Sequence, residues 1–150
     1  MIASIAPKEK VGLGYTLEVE QQIPGPPEQV YAAWTSATEM ARWWWPHIAD
    51  TRYQIDPRPG GSYRMESEAA GIGVEGEFVS LDPPREIVMT WRWRNDGVGN
   101  VEEAVRIEFR PNDEGTAVTV IHELDEVAGE GDDLRQGWKD VLARLAGLFA

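Results

Sequence analysis

The chain has 150 residues, no cysteine and a formal net charge of −12, from 14 basic and 26 acidic side chains. This length predicts one domain with a core of its own. The acidic balance argues against a nucleic-acid partner, because such proteins concentrate Lys and Arg against phosphates, and the lack of cysteine excludes disulfides and thiolate metal sites. No apolar run approaches the ~20 residues of a membrane span, and the start of the chain lacks the apolar stretch of a signal peptide. We therefore expect a soluble, cytoplasmic protein.

The first part of the chain is predicted to be a tail followed by a strand. Residues 1–13 are assigned to the tail, and residues 14–150 to a single domain. The domain opens with Tyr15, Leu17 and Val19 alternating with polar residues. This period of two is typical of a strand with one buried face.

Two short helices are predicted after this strand. Pro26 and Pro27 are suited to open the first, and a capping box from Ser36 to Glu39 opens the second. The second helix is predicted to continue through the three tryptophans at 43–45 and to stop at Pro46. Since successive helical residues point about 100° apart, at least one of the three rings is expected to leave the core.

Alternating segments separated by turn residues then predict an antiparallel meander of about six strands. In the segment 85–94, Trp91 and Trp93 share the apolar face, while arginines occupy the other. Residues 71–76, "GIGVEG", match the dinucleotide-binding pattern GxGxxG letter for letter. That fingerprint requires a helix after the glycines, whereas here a strand comes next, so the segment is interpreted as a glycine-rich hairpin or bulge.

The last segment, "GDDLRQGWKDVLARLAGLFA", predicts one long amphipathic helix. Its apolar stripe consists of Leu134, Trp138, Val141, Leu142, Leu145, Leu148 and Phe149. A helix of this kind that comes after a meander must bury its apolar face against the sheet.

Five segments in this order resemble one known family. They are "ARWWWP", "DPRPGGSYRM", "GEFVSLDPPREIVMTWRW", "GTAVTVIHEL" and "GWKDVLARL". From about Gly14 onwards the chain resembles the Hsp90 ATPase activator homologue group of the START-like, Bet v 1-like (SRPBCC) superfamily. The resemblance implies an α+β helix-grip fold, in which a curved antiparallel sheet of about six to seven strands surrounds the long C-terminal helix, with two short helices after strand one. It also implies a cavity between helix and sheet, which in the superfamily often holds lipids, polyketides or other apolar molecules.

Ten residues are expected to line such a cavity, with Trp44 or Trp45 at its mouth. They are Trp44, Trp45, Met65, Phe78, Met89, Trp91, Trp93, Phe109, His122 and Trp138. The sequence leaves open whether the tryptophans surround a ligand or fill the core themselves. A third alternative is contact with a partner, since Trp is enriched at interface hot spots.

His122 stands alone on the apolar face of its predicted strand. It is interpreted first as a hydrogen-bonded core residue; the functional alternatives are a polar anchor, a proton donor or a general base. Glu103 is predicted to point inward, where it could lie in water at the strand end, pair with Arg52 or Arg64, or act as an acid. Two distant histidines give no metal signature, and no cofactor is expected.

Three functions are consistent with these observations and with the resemblance. The first is binding of a small hydrophobic or aromatic ligand, without catalysis. The second is a polyketide cyclase-like enzyme that uses His122. The third is a co-chaperone-like stimulator of an Hsp90-type ATPase, and a homodimer also stays open as a partner.

Overall fold

In the computed structural model, which describes residues 15–96, 98–99, 101–124 and 130–150, strands and helices occur in the predicted order. The predicted tail lies outside the described residues. The strands are β1 (Tyr15–Ile23), β2 (Thr51–Ile55), β3 (Ser62–Ser67), β4 (Ile72–Asp82), β5 (Glu86–Asn95), β6 (Val98–Gly99), β7 (Glu103–Asn112) and β8 (Gly115–Leu124). The helices are α1 (Pro27–Ala32), α2 (Ala37–Met40) and α3 (Glu130–Phe149).

The strands form one antiparallel sheet in the order β1-β8-β7-β5-β4-β3-β2, with the short β6 paired to β5. The chain between β1 and β2, which contains α1 and α2, therefore crosses from one edge of the sheet to the other. Helix α3 packs against β1 and buries Trp138, Val141, Leu142 and Leu145. This is the predicted α+β helix-grip fold, with the apolar face of α3 packed against the sheet.

The prediction that the second helix runs through the three tryptophans is wrong. The cap is as predicted, because the Ser36 hydroxyl accepts the Glu39 N–H at 3.3 Å, but α2 ends at Met40. The chain then continues in turns to Trp45, whose φ is +53°. Trp45 precedes Pro46, and the residue before a proline is disfavoured in the right-handed helical region.

Leaving the helix allows all three rings into the core, contrary to the expectation of one outward ring. Trp43, Trp44 and Trp45 are 0%, 2% and 9% exposed. The fixed 100° step between helical side chains does not apply once the backbone turns, so each ring meets a different part of the interior.

The GxGxxG letters belong to a hairpin, as predicted. Gly71, with a φ of +73°, lies in the turn before β4. A Cβ on Gly76 would lie 2.2 Å from the Thr90 carbonyl oxygen of the neighbouring β5. Gly71 therefore allows a tight turn, and Gly76 allows β4 and β5 to approach each other closely.

Candidate functional site

A cavity of about 470 Å³ lies between α3 and the sheet. Its walls contain the indoles of Trp44, Trp45, Trp91, Trp93 and Trp138. The other residues that border it are Asn95, Val101, Glu103, Leu124, Asp133, Leu134, Gly137 and Val141. Val101 is 54% exposed, and Asp133 and Gly137 are also exposed. The cavity is thus partly open to solvent beside the N-terminal half of α3.

The five indoles reach the cavity from three parts of the chain. Trp91 and Trp93 alternate along β5, Trp138 comes from α3, and Trp44 and Trp45 come from the turns after α2. The rings contact one another, with centroids 5.1 Å apart for Trp91 and Trp138 and 5.9 Å for Trp45 and Trp93. Such tilted and edge-to-face contacts are favourable between aromatic rings, and they make one continuous aromatic wall.

A side chain from β2 forms a hydrogen bond with the backbone of Trp44. The Tyr53 hydroxyl donates a hydrogen bond to the Trp44 carbonyl oxygen. This hydrogen bond joins the irregular segment after α2 to the regular strand β2.

A chain of two hydrogen bonds leads from α3 to the cavity wall. The Trp138 indole Nε1–H donates to His122 Nδ1 at 3.1 Å, and His122 Nε2 lies 2.7 Å from Glu103 Oε1. An indole can only donate, so Nδ1 is the acceptor and Nε2 carries the proton that is donated to Glu103. His122 is fully buried, whereas Glu103 borders the cavity.

This arrangement corresponds to a neutral imidazole. Burial lowers the pKa of His122, an effect that exceeds the opposing influence of the hydrogen bond and negative charge of Glu103. The hydrogen bond from Trp138 also favours the neutral imidazole, since a protonated Nδ1 would place its N–H against the N–H of the indole. The Glu103 charge is therefore not neutralised by its histidine partner at pH 7.

The structure places the five predicted tryptophans on the cavity wall, and the other five predicted residues are not among those that line it. Met65, Phe78 and Met89 border only a void of about 10 Å³ at the other end of the core. Phe109 packs against Tyr31, with ring centroids 5.0 Å apart. His122 lies behind the cavity wall.

Aromatic side chains fill the core at that end. Trp34 and Trp43 pack together with centroids 4.7 Å apart, and Trp34 also lies against Phe109 and Trp138 at 6.1 and 6.3 Å. The small void beside Met65 is also bordered by Trp34. Tryptophans therefore fill one end of the core between α3 and the sheet and surround an open space at the other end.

The sequence interpretation missed the partner of Glu103. The sequence left open a position in water, a pairing with Arg52 or Arg64, or a role as an acid; Arg64 Nη2 lies 3.0 Å from Glu75 Oε1. Glu103 instead meets His122 because β7 and β8 pair with Val105 opposite His122. Glu103 lies two residues from Val105 on the same face of β7, so it is a diagonal neighbour of His122. The alternation of both strands already placed Glu103 and His122 on their inward faces, and this was the sequence signal for the pair.

Asp133 and Gly137 were also missed as residues of the cavity wall. They lie four residues apart on α3, next to the predicted stripe members Leu134 and Trp138. Residues with this spacing share one helix face, so the edge of the stripe indicated which further residues lie beside the cavity.

The charge of the wall is negative. Glu103 and Asp133 border the cavity, and no Lys, Arg or His does so among the residues that the structure describes. Within the same ranges, no group of three or more His, Cys, Asp or Glu side chains could hold a metal ion. None of the described helices is long and apolar enough to cross a membrane.

The curved sheet around a long C-terminal helix defines a helix-grip protein of the SRPBCC type, and solved structures share this fold. Protein MLL2253 from Mesorhizobium loti is 20% identical, with a TM-score of 0.75 over 89% of this chain and 96% of that one. CV1439 from Chromobacterium violaceum is 25% identical, with a TM-score of 0.74 over 89% and 96%. DynU16, a protein of the dynemicin biosynthetic locus, is 24% identical, with a TM-score of 0.74 over 87% of this chain and 45% of that one.

The family is evident from the sequence itself. The family model described as "Activator of Hsp90 ATPase homolog 1-like protein" matches residues 24–150, and the chain belongs to this family. No curated protein matches the sequence.

Proposed function

We propose that the protein binds a small hydrophobic or aromatic molecule in the cavity between α3 and the sheet. The observation that carries this proposal is the space of about 470 Å³ that stays open after the tryptophans have packed. Small-molecule sites typically have about 300–1,000 Å³ and mostly apolar walls with few polar groups. Burial of apolar ligand surface would supply roughly 25 cal/mol per Å², and Trp45 and the partly exposed Trp93 offer indole surface to an aromatic ring.

Native mass spectrometry before and after denaturation tests this proposal. The protein is purified without organic solvent, and the two masses are compared. A reproducible extra mass that leaves on denaturation, or a thermal shift with members of a neutral aromatic panel, is expected. A clean apo mass together with no thermal shift across the panel would contradict ligand binding.

A second candidate, a polyketide cyclase-like activity, is favoured by the pairing of Glu103 with His122. His122 is fully buried and both ring nitrogens have partners, so Glu103, which borders the cavity, would be the group that removes a proton from a bound substrate. His122 would act as a positioning residue. This differs from the interpretation of the sequence, in which His122 and an inward acid both move protons.

The cyclase candidate is tested with a poly-β-ketone thioester analogue. Ring closure with loss of water is expected from the wild type and is expected to be lost in Glu103→Gln. Glu102→Gln removes the same charge one residue away, at a side chain that contacts Arg92, and should retain activity. Absence of any cyclised product with the wild type would reject this candidate.

Stimulation of an Hsp90-type ATPase, a homodimer and a cytoplasmic location stay predictions. An ATPase assay with an Hsp90-type chaperone would test the first of these.

A further inference from the structure

We propose that the cavity holds only one end of its ligand, an aromatic or other apolar group, and that the rest of the ligand is a hydrophilic chain that continues into water between Gly137 and Val101. This inference rests on the proposed function, because it names the chemical class of ligand for the same cavity. Two features of the described wall carry it. Its exposure increases towards the same end on three separate elements, and the residues at that end leave room for a hydrated chain.

The first feature is a change of exposure along the two strands that form one side of the cavity. Trp91 on β5 is 4% exposed, whereas Asn95 at the end of the same strand is exposed. Val105 on β7 is 0% exposed, whereas Val101, four residues earlier, is 54% exposed. Trp91 pairs with Glu103, so the end of β5 and the start of β7 lie at the same end of the sheet. Both strands therefore reach solvent at this end.

Helix α3 shows the same change on the face that borders the cavity. Asp133, Gly137 and Val141 are spaced four residues apart and share this face. Asp133 and Gly137 are exposed, whereas Val141 is 4% exposed. All three border the same cavity as Asn95 and Val101. The N-terminal half of α3 and the ends of the two strands therefore form one opening.

The opposite end of the core is closed in the part of the chain that the structure describes. Met65, Phe78, Ile87 and Met89 border a void of about 10 Å³ there, and each of them is 5% exposed or less. A space of this size holds about one water molecule, so an alkyl or ether chain does not pass through it. A ligand that is longer than the cavity must therefore leave it through the opening beside α3.

The second feature is the chemical character of this opening. Asn95 and Asp133 bring an amide and a carboxylate to it, and a Cβ on Gly137 would meet no atom within 4 Å. A hydrophilic chain can pass such a place and keep its hydrogen bonds to water, whereas an apolar group that ended here would stay partly exposed. The opening therefore favours a molecule whose apolar part ends inside the cavity and whose remaining part is hydrophilic.

Four naphthyl ethers test the proposal. The parents are 2-methoxynaphthalene and 2,6-dimethoxynaphthalene; tetraethylene glycol replaces the methyl group of the first and both methyl groups of the second in their tethered counterparts. Dissociation constants are measured by ligand-observed NMR. We expect the singly tethered compound to bind within about threefold of its parent, because its chain stays in water. The doubly tethered compound should bind at least about tenfold more weakly than its parent, because one chain must be buried without hydrogen-bond partners.

Two exposed valines provide matched variants that locate the opening. Val101 is 54% and Val79 is 43% exposed, and of the two Val101 alone borders the cavity. Val101→Trp places a large ring at the opening and should weaken the singly tethered compound several-fold relative to its parent. Val79→Trp adds the same ring on β4 and should keep the wild-type ratio. Since each tethered compound is compared with its parent in the same protein, a change in the cavity itself cancels.

The outcomes distinguish this inference from the proposed function. If the parents bind and the singly tethered compound loses at least about tenfold in affinity, the inference is overturned and the cavity proposal stands. Binding of the doubly tethered compound as tightly as its parent, or an unchanged ratio in Val101→Trp, would also overturn it. If neither parent binds, and the probe N-phenyl-1-naphthylamine does not bind either, both proposals fail.

Discussion

The indole N–H of Trp138 on α3 donates a hydrogen bond of 3.1 Å to Nδ1 of His122 on β8, and both side chains are buried. Strand β8 lies between β1 and β7, so this bond joins α3 to an interior strand of the sheet. It also leaves only Nε2 of the neutral imidazole to donate to Glu103. The helix thus orients a carboxylate of the cavity wall through a histidine.

Replacing Trp138 by Phe should cost more stability than replacing Trp34 by Phe. The two indoles are similarly buried, at 2% and 3% exposure, but Trp34 Nε1 has no hydrogen-bond partner among the described residues. Trp138→Phe leaves His122 Nδ1 buried without its donor, which costs about 1–3 kcal/mol beyond the loss of ring volume. Urea denaturation monitored by circular dichroism measures the difference. Equal losses, or a larger loss for Trp34→Phe, would show that the bond contributes nothing.

The free energy of unfolding should decrease as the pH falls below 6.5, because His122 is buried as a neutral imidazole in the folded protein. Its pKa is lowered in the folded protein from the ordinary 6.5, so the unfolded chain takes up a proton first. The unfolded state therefore binds more protons between the folded value and 6.5, and stability rises with pH across that window and is level above it. The contribution has a limiting slope of about 1.4 kcal/mol per pH unit.

His122→Gln isolates this contribution from that of the many carboxylates. The free energy of unfolding is measured by urea titration from pH 5 to 8 for the wild type, His122→Gln and His47→Gln, the last at an exposed position. The wild type and His47→Gln should share the extra slope below pH 6.5, and His122→Gln should lack it. Identical slopes in all three proteins would disprove the assignment.

Gly76→Ala should destabilise the protein far more than Gly73→Ala, although both glycines lie in β4. A Cβ at Gly76 would be 2.2 Å from the Thr90 carbonyl oxygen, whereas at Gly73 the nearest atom is a Glu66 side-chain carbon at 3.3 Å. Backbone must move in the first case, at a cost of about 1–3 kcal/mol or more, while the flexible Glu66 can yield in the second. Thermal unfolding of the two variants compares the losses; similar melting temperatures would refute the steric explanation.

Periodicity predicted the regular parts of this fold well. Alternation placed Trp91 and Trp93 on the inner face of β5, and the stripe of α3 identified Trp138 and Leu142 as buried. These predictions succeed because a residue on a strand or helix has its direction set by the local backbone period. The glycine-rich segment 71–76 was also interpreted correctly, because the residues after it have the pattern of a strand and not of a helix.

The site depended on features that no local period encodes. Helix α2 ends at Met40, before the tryptophan run, and the three rings then turn inward in a way that a helical wheel cannot describe. The pairing of Glu103 with His122 depends on the register between β7 and β8. The position of the open space depends on Trp34 and Trp43 filling the opposite end, which only the assembled core determines.

Two glycines of α3 allow the most direct test of the cavity as a ligand site. A Cβ on Gly137 or on Gly147 meets nothing within 4 Å, and Gly137 alone of the two borders the cavity. Replacement by Leu should favour the helix at both positions by up to about 1 kcal/mol, so neither variant is expected to unfold. In Gly137→Leu, however, the side chain enters the edge of the cavity.

The measurement is a fluorescence titration of the wild type and the two variants with N-phenyl-1-naphthylamine. We expect the probe to bind the wild type and Gly147→Leu with similar affinity and Gly137→Leu at least about tenfold more weakly. Equal binding by all three proteins would contradict the account, because the probe would then occupy some other part of the molecule.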